Sequence, residues 1–368
     1  MSESRDSPYP ELKKSHTMAH TGRPWTDHKP PSSAPVWAAI EGLARYHVLL
    51  AALELDLFDT IGSTGPVDAP RLARITGTSA PHLRSLLDAV VALGLLEQIG
   101  GLYGLNDTAR RYLVSDGPAT MADLVAVAPG PHDNWGDLAE TVRRGGPARP
   151  IEDDPVAFYV PLAEGTFTTM ARCAARADLR IRYSALHRPR VLDLGAGGAP
   201  WAIAVLNANP GATAVINDLP GVLEVARRKV TDHGLGARVE YLPGDFHTVP
   251  LAPGSFDIVV LGHICRTEGA EGARHLIGRA HHALREGGTV IVADYFVDPE
   301  HKSNPHAVLM GTTMMAATRR GLTFTYGQFA EWLREAGFES LRLIEPIGFQ
   351  QQFVATRPRT GHEPEGGR

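Results

Sequence analysis

The run Val191-Leu-Asp-Leu-Gly-Ala-Gly-Gly198 carries the first chemistry of this sequence, a hydrophobic strand feeding a glycine-rich turn and then a helix that begins near Pro200. Glycines let the backbone approach a ligand at the carboxyl edge of a strand, where open α/β sheets bind their cofactors. The third glycine of a dinucleotide fingerprint is missing, so the turn alone does not name the ligand. Two further strand ends sharpen it. Asp218 closes the second strand, 23 residues after Gly195, where a carboxylate can accept both hydroxyls of a ribose. Gly244-Asp-Phe246 closes the third and offers an acceptor for an amino edge and an aromatic face for a purine.

Such strand ends need a parallel sheet to line them up. After Pro189 the pattern alternates strands and helices, with strands expected at 190–194, 214–217, 238–242, 256–261, 289–295, 341–346 and 351–356. This is a βαβ series closing on a hairpin, which predicts an α/β, Rossmann-like, doubly wound, mostly parallel seven-stranded sheet. Upstream, apolar residues at Val36, Ile40, Leu43, Tyr46, Leu50, Leu53, Leu57 and Phe58 recur at helical spacing, predicting a helix pair ending near Ile61-Gly62. Asp68 and Ser79 cap two short helices, and the runs around Gly100-Gly101 form a hairpin. Helix, turn, helix and wing make a mostly α winged-helix domain.

At 368 residues the chain exceeds what one core fills, and its 43% apolar fraction supplies two. The divisions expected are a disordered tail over 1–34, rich in proline, the winged-helix domain over 35–118, a helical linker and pocket wall over 119–185, the sheet domain over 186–358, and a tail over 359–368. The balance of 36 basic against 41 acidic residues, −5 overall, disfavours nucleic acid, and the second winged-helix helix offers Arg84 as its one firm cation. Dimerisation is the preferred use of that domain. Cys173 and Cys265 stand alone, without a CxxC pair, which fits a reducing cytoplasm and gives no thiol zinc site. Glu41, Arg45, His47 and Glu54 interrupt the most apolar stretch, 36–58, so no membrane span is expected.

The motifs Asp193-Leu-Gly-Ala-Gly, Asn217-Asp-Leu-Pro, Gly244-Asp-Phe, Leu284-Arg-Glu-Gly-Gly and Ala336-Gly-Phe resemble those of the class I S-adenosylmethionine-dependent methyltransferases. From about residue 35 the whole chain resembles the small-molecule O-methyltransferases with an N-terminal winged-helix dimerisation domain. The resemblance implies S-adenosyl-L-methionine as cofactor, held by Asp193, Gly195, Gly197, Asp218, Leu219, Asp245, Phe246 and Gly262. In it the glycine turn backs the methionyl part, Asp218 holds the ribose, and Asp245 and Phe246 meet the adenine. It also implies a homodimer.

The resemblance breaks at the catalytic base. Relatives that methylate phenols carry a histidine where this chain has Arg266, within Gly262-His-Ile-Cys-Arg-Thr-Glu268, and a guanidinium is no base at neutral pH. The orienting acid falls on Asp294, and a second one on Thr323. Methyl transfer from a sulfonium mainly needs nucleophile and methyl held at near-attack distance, so a missing base points to an acceptor that is already anionic or has a free lone pair. Arg266 then either pairs an anionic group of the acceptor or forms a structural ion pair with Asp294, Glu268 or Glu271. His263, at the end of the same strand, is either a displaced general base or a core histidine. His247, His301 and His306 could also reach a cleft, and no spacing supports a metal.

The acceptor pocket is expected between Trp135, Phe158, Tyr159, Phe167 and Met170 on one side and His306, Met310 and Met314 on the other, a broad apolar slot for an aromatic or polyketide-like small molecule. O-methylation is the default, with C- or N-methylation next. The rivals are a family member that keeps the cofactor for hydroxylation or decarboxylation, and a winged-helix regulator that senses S-adenosylmethionine.

Overall fold

The computed structural model describes residues 32–128, 130, 132–347 and 350–359. The expected tails at 1–34 and 359–368 therefore lie almost wholly outside the described residues. The chain divides into two compact units, Met1–Arg45 and Tyr46–Arg368.

In the first unit begins helix α1 (Ala34–Glu54), on which Val36, Trp37, Ile40 and Leu43 are exposed. A row of large apolar side chains open to solvent marks a contact surface. By length and composition alone this 21-residue helix is apolar enough to cross a membrane, a test that helices of soluble proteins also pass.

The second unit opens with α2 (Leu57–Thr64), α3 (Ala69–Thr76), α4 (Ala80–Ala92) and the hairpin β1 (Glu97–Ile99) with β2 (Leu102–Gly104), the winged-helix order. Asp68 caps α3 by accepting from the Arg71 N–H at 2.7 Å, as expected, whereas Ser79 makes no cap bond and its hydroxyl pairs with His82 Nδ1 at 2.9 Å. Leu57, Phe58, Leu72, Leu87, Val90 and Tyr103 fill this core. Four helices follow α5 (Asp107–Tyr112): α6 (Ala122–Val127), α7 (His132–Gly136), α8 (Leu138–Arg144) and the 27-residue α9 (Pro155–Ile181).

The sheet domain runs β3 (Arg190–Leu194), α10 (Pro200–Ala208), β4 (Thr213–Asp218), α11 (Pro220–Asp232), β5 (Val239–Pro243), β6 (Phe256–Gly262), α12 (Gly269–Ala283), β7 (Leu284–Asp294), β8 (Phe296–Val297), α13 (Pro305–Ala317), β9 (Phe324–Thr325), α14 (Tyr326–Glu335), β10 (Glu339–Ile347) and β11 (Gln350–Thr356). The seven-stranded order is β10-β11-β7-β6-β3-β4-β5, parallel from β7 through β5, with β10 and β11 antiparallel at one edge. Strand alternation divides the core. Val191, Ile216, Val260 and Ile291 face α9, α10 and α11, whereas Leu192, Leu194, Val259 and Val292 face α12 and α14. The chain leaves β3 toward β4 on one side and returns through β6 on the other, so the carboxyl ends of β3 and β6 border the crevice where such sheets bind ligands. β7 begins five residues before the expected start, because Leu284 already pairs with Phe256 across a register shift.

Candidate active site

The turn after β3 holds Gly195, Gly197 and Ala199 at φ +59°, +56° and +58°. Glycine is required at the first on two counts: left-handed backbone, and a Cβ that would stand 2.8 Å from Ile264 Cγ2 and 3.2 Å from Phe246 Cδ1. The Phe246 ring thus lies against the turn, and Asp245 beside it is exposed and accepts from the His247 N–H at 2.8 Å. Asp218 ties the turn to β4. Its Oδ2 accepts from the Gly197 N–H and its Oδ1 from the Leu219 N–H, both at 2.7 Å. A carboxylate has about four acceptor positions, so two remain for a ribose diol. Burial pushes the Asp218 carboxyl up to about 6. Asp193, on β3, accepts from the Ala202 N–H at 3.0 Å, and burial, with Asp218 adding to it, pushes it up to about 8. Leu219 packs with Tyr159, Ala163 and Val222, and Gly262 has the Trp201 indole beneath it, where a Cβ would meet Nε1 at 3.2 Å. All eight residues expected at the cofactor gather on this one edge of the sheet. A close-approach turn, a carboxylate with spare acceptor positions and an aromatic face fit an adenosyl group carrying a charged methionyl end.

The 263–268 turn follows β6. Arg266 and Asp294 are joined twice, by Nη1 to Oδ1 at 3.1 Å and by the Arg266 backbone N–H to Oδ2 at 3.2 Å. Nη1 also donates to the His263 carbonyl at 2.7 Å, and the Tyr295 N–H donates to Asp294 Oδ1 at 2.9 Å. Among the acids offered as structural partners of Arg266, Asp294 is the one that pairs with it, and Glu268 and Glu271 do not. Glu268 instead holds Thr267 Oγ1 and His247 Nε2, at 2.9 and 2.8 Å, and the second contact raises His247. His263 is part-buried, its side chain 13% exposed, and holds left-handed backbone at φ +64°. Its Nε2 meets Gln350 Oε1 at 2.7 Å, and its Nδ1 lies 4.0 Å from Asp294 Oδ1. Burial first, then the Arg266 charge, lowers its pKa to about 4.

The expected pocket wall is split. On α9, Tyr159, Ala163 and Phe167 repeat at i, i+4, i+8 and face the cofactor loops. Phe167 is a core residue, a correction with a plain cause: Gly198 and Ala163 bring α9 so close that the ring is enclosed among Ala174, Ala199 and Ile203. Tyr159 packs beside Leu219, and its hydroxyl is pushed up to about 12 by burial and then by Glu268, which brings it near the 263–268 turn. Phe158 stands edge-on to it, with 5.1 Å between ring centroids. Met170 faces the other group, its sulfur accepting from Gln350 Nε2 at 3.1 Å. Across from it, His306 lies 5.3 Å from the Tyr295 ring, and Met310 packs in the same small cluster. Met314 is buried near the Arg266 backbone, where a Cβ on Gly321 would meet both. Trp135 is half-buried on α7, which Asn134 ties to α13 through a 2.8 Å bond to the Ala316 carbonyl.

Gln350 and Tyr295 escaped the sequence reading. The only signal was three consecutive glutamines in a strand, Gln350 to Gln352, all buried. A cleft of about 480 Å³ beside Thr248, Arg274 and Arg279 shares no residue with this site.

The O-methyltransferase domain family matches residues 174–339, and the O-methyltransferase dimerisation domain family matches residues 37–115. The 3-hydroxy-5-methyl-1-naphthoate 3-O-methyltransferase of Streptomyces sahachiroi is 30% identical over 318 residues, 82% of this chain and 88% of that one. A Nostoc punctiforme PCC 73102 structure solved as a candidate O-methyltransferase superposes with a TM-score of 0.81 at 26% identity, covering 89% of this chain and all of that one. The fold is shared too with human N-acetylserotonin methyltransferase, solved with S-adenosylmethionine, at a TM-score of 0.78, 22% identity and coverage of 90% and 99%. This chain belongs to the S-adenosylmethionine-dependent O-methyltransferase family with an N-terminal dimerisation domain.

Proposed function

We propose that this enzyme methylates an acidic hydroxyl, a phenol or enol, on a hydrophobic aromatic or polyketide-like small molecule. The observation that carries the reading is the Arg266–Asp294 pair: a permanent cation stands where phenol-methylating relatives have their base, and its carboxylate is already engaged. An acceptor with an acidic hydroxyl needs little help to lose its proton, and a nearby guanidinium lowers its pKa further. S-adenosylmethionine supplies an electrophilic methyl on a sulfonium. Asp193, Gly195, Gly197, Asp218, Leu219, Asp245, Phe246 and Gly262 are assigned to hold it, with Asp218 on the ribose and Phe246 on the adenine. Arg266, His263 and Asp294 orient the hydroxyl. Trp135, Phe158, Met170, His306, Met310 and Met314 enclose the acceptor, and Tyr159 closes the cofactor side. The naphthoate substrate named for the Streptomyces relative supports an aromatic acceptor.

The working enzyme is assigned as a homodimer through residues 35–118, supported by the dimerisation-family match and by the open Trp37, Ile40 and Leu43. Residues 119–185 serve as the pocket wall and 186–358 as the cofactor domain. Two buried cysteines without a CxxC pair, Cys173 and Cys265, support a cytoplasmic setting.

Incubation with methyl-labelled S-adenosylmethionine and 3-hydroxy-1-naphthoate or 2-naphthol tests the proposal. Labelled methyl ether is expected. Conversion of the acceptor without label transfer would support hydroxylation or decarboxylation instead, and label on an arylamine but on no hydroxyl would move the reaction to nitrogen.

A further inference from the structure

Two buried polar atoms of opposite hydrogen-bonding sense flank Asp294 without a partner: His263 Nδ1 and Arg266 Nε. We infer that they form a clamp for one hydroxyl of the acceptor, whose O–H donates to His263 Nδ1 and whose oxygen accepts from Arg266 Nε–H, with Gln350 as the positioning residue that sets the imidazole tautomer. This deepens the proposed function and rests on it.

The tautomer follows from the far end of Gln350. A thioether sulfur carries lone pairs and no hydrogen, so the amide end at Met170 Sδ, 3.1 Å away, is the NH2 group. The carbonyl end therefore faces His263 Nε2 at 2.7 Å and requires a hydrogen there. In a neutral ring that leaves Nδ1 bare. The ring is neutral because burial and the Arg266 charge oppose its protonation.

Asp294 cannot satisfy Nδ1. Its Oδ1 stands 4.0 Å away, it can only accept, and it already receives Arg266 Nη1 and the Tyr295 N–H. The guanidinium reaches Asp294 and the His263 carbonyl through Nη1, which leaves Nε–H idle. A bare acceptor and a bare donor held near one carboxylate oxygen suit a group that both donates and accepts, as a hydroxyl does. The backbone supports a purpose here, since His263 keeps a left-handed conformation that a side chain rarely adopts. Tyr295 covers both groups, with ring centroids 5.3 Å apart at His263 and Arg266 Cζ 5.3 Å above the ring, so the hydroxyl enters as that ring turns aside.

In the reaction the O–H electron pair stays on oxygen and forms the bond to the methyl carbon, while the carbon–sulfur pair leaves with sulfur as a neutral thioether. The proton passes to His263 Nδ1. A weak base suffices, because an oxygen gaining a methyl group becomes a far stronger acid than the free hydroxyl. The imidazolium sits beside Asp294 and returns its proton to water after the product leaves.

The test uses full-length protein labelled with 15N-histidine and saturated with S-adenosylhomocysteine, probed with 2-naphthol and with 2-fluoronaphthalene, which has the same shape and no hydroxyl proton. His263, assigned by its loss in His263→Gly, is expected to show a protonated Nε2 and a bare Nδ1, and 2-naphthol should shift the Nδ1 signal. In the unmodified protein 2-naphthol should bind about tenfold tighter than 2-fluoronaphthalene, the worth of one good hydrogen-bonded pair. In His263→Gly, which accepts the left-handed backbone and keeps the Arg266 donor, the naphthol preference should fall several-fold. Gln350→Met should move His263 toward the Nδ1–H tautomer. A protonated Nδ1 in the unmodified protein, or a naphthol preference undiminished in His263→Gly, overturns the clamp. Because none of these readouts needs turnover, an intact clamp without labelled product would overturn the methyl-transfer reading alone.

Discussion

Arg266 and Asp294 hold each other through both a side-chain and a backbone bond, with the two side chains only 12% and 3% exposed. Partners this deep are costly to separate. Asp294→Asn leaves the guanidinium charge without a counter-charge in a site that water barely reaches. It is expected to cost on the order of 3 kcal/mol of folding stability. Arg266→Met combined with Asp294→Leu removes both charges and should cost less than either single change. Urea unfolding of the unmodified protein, Arg266→Met, Asp294→Leu and the double variant measures the coupling, and additive losses would show that the pair carries no interaction energy.

Asp218 makes cofactor binding depend on pH. Its carboxyl titrates at about 6, above the ordinary range, because burial disfavours the charge. The ribose hydroxyls and the positive sulfonium both favour the ionised form, so binding should draw this pKa down. Affinity is therefore full above about pH 7 and falls as pH drops through 6. Calorimetry in buffers of different ionisation heat should find about half a proton released on binding at pH 6. Asp218→Asn should bind weakly at every pH and release none. A proton count of zero for the unmodified protein would remove Asp218 from the ribose.

Much of this site was legible because period and spacing carry it. The strand ends at Leu194, Asp218 and Gly244 follow from apolar runs that stop at glycine or aspartate, and the structure joins them as the spacing implies. The α9 residues were not legible. Tyr159, Phe167 and Met170 lie within eleven positions of one helix, yet two face the cofactor loops and the third faces Gln350. Helical spacing says which residues share a face and not what that face meets. The His263–Gln350 bond joins residues 87 apart through the antiparallel edge of the sheet, a contact that no local pattern encodes.

Two helical glycines should respond to alanine in opposite directions. At Gly165, where α6 crosses α9, a Cβ would lie 2.7 Å from the Asp123 carbonyl oxygen and 2.8 Å from Val127 Cγ2, so Gly165→Ala must push α6 away. A loss of about 1–3 kcal/mol is expected. Gly278 in α12 has nothing within 4 Å of its added Cβ, and Gly278→Ala should gain roughly 0.5–1 kcal/mol by restricting the unfolded chain. Melting curves of both variants decide the matter. A stable Gly165→Ala would mean that the helix crossing is looser than these distances imply.

Arg266→His tests what the guanidinium does for the acceptor. The change removes a permanent cation and places an imidazole beside Asp294, the pairing of base and acid that the resemblance to phenol-methylating relatives implies. With Arg266, rates should depend on how readily the hydroxyl gives up its proton, so kcat/KM should rise across a series of 2-naphthols made more acidic by ring substituents. With histidine, a stronger base takes part and that slope should flatten. Weakly acidic naphthols would hold their rate, while the most acidic would fall about tenfold or more, having lost the charge that paired with their oxygen. Saturation with S-adenosylmethionine throughout keeps cofactor binding out of the comparison. Parallel slopes for the two proteins would show that Arg266 does not reach the hydroxyl and serves only to hold Asp294.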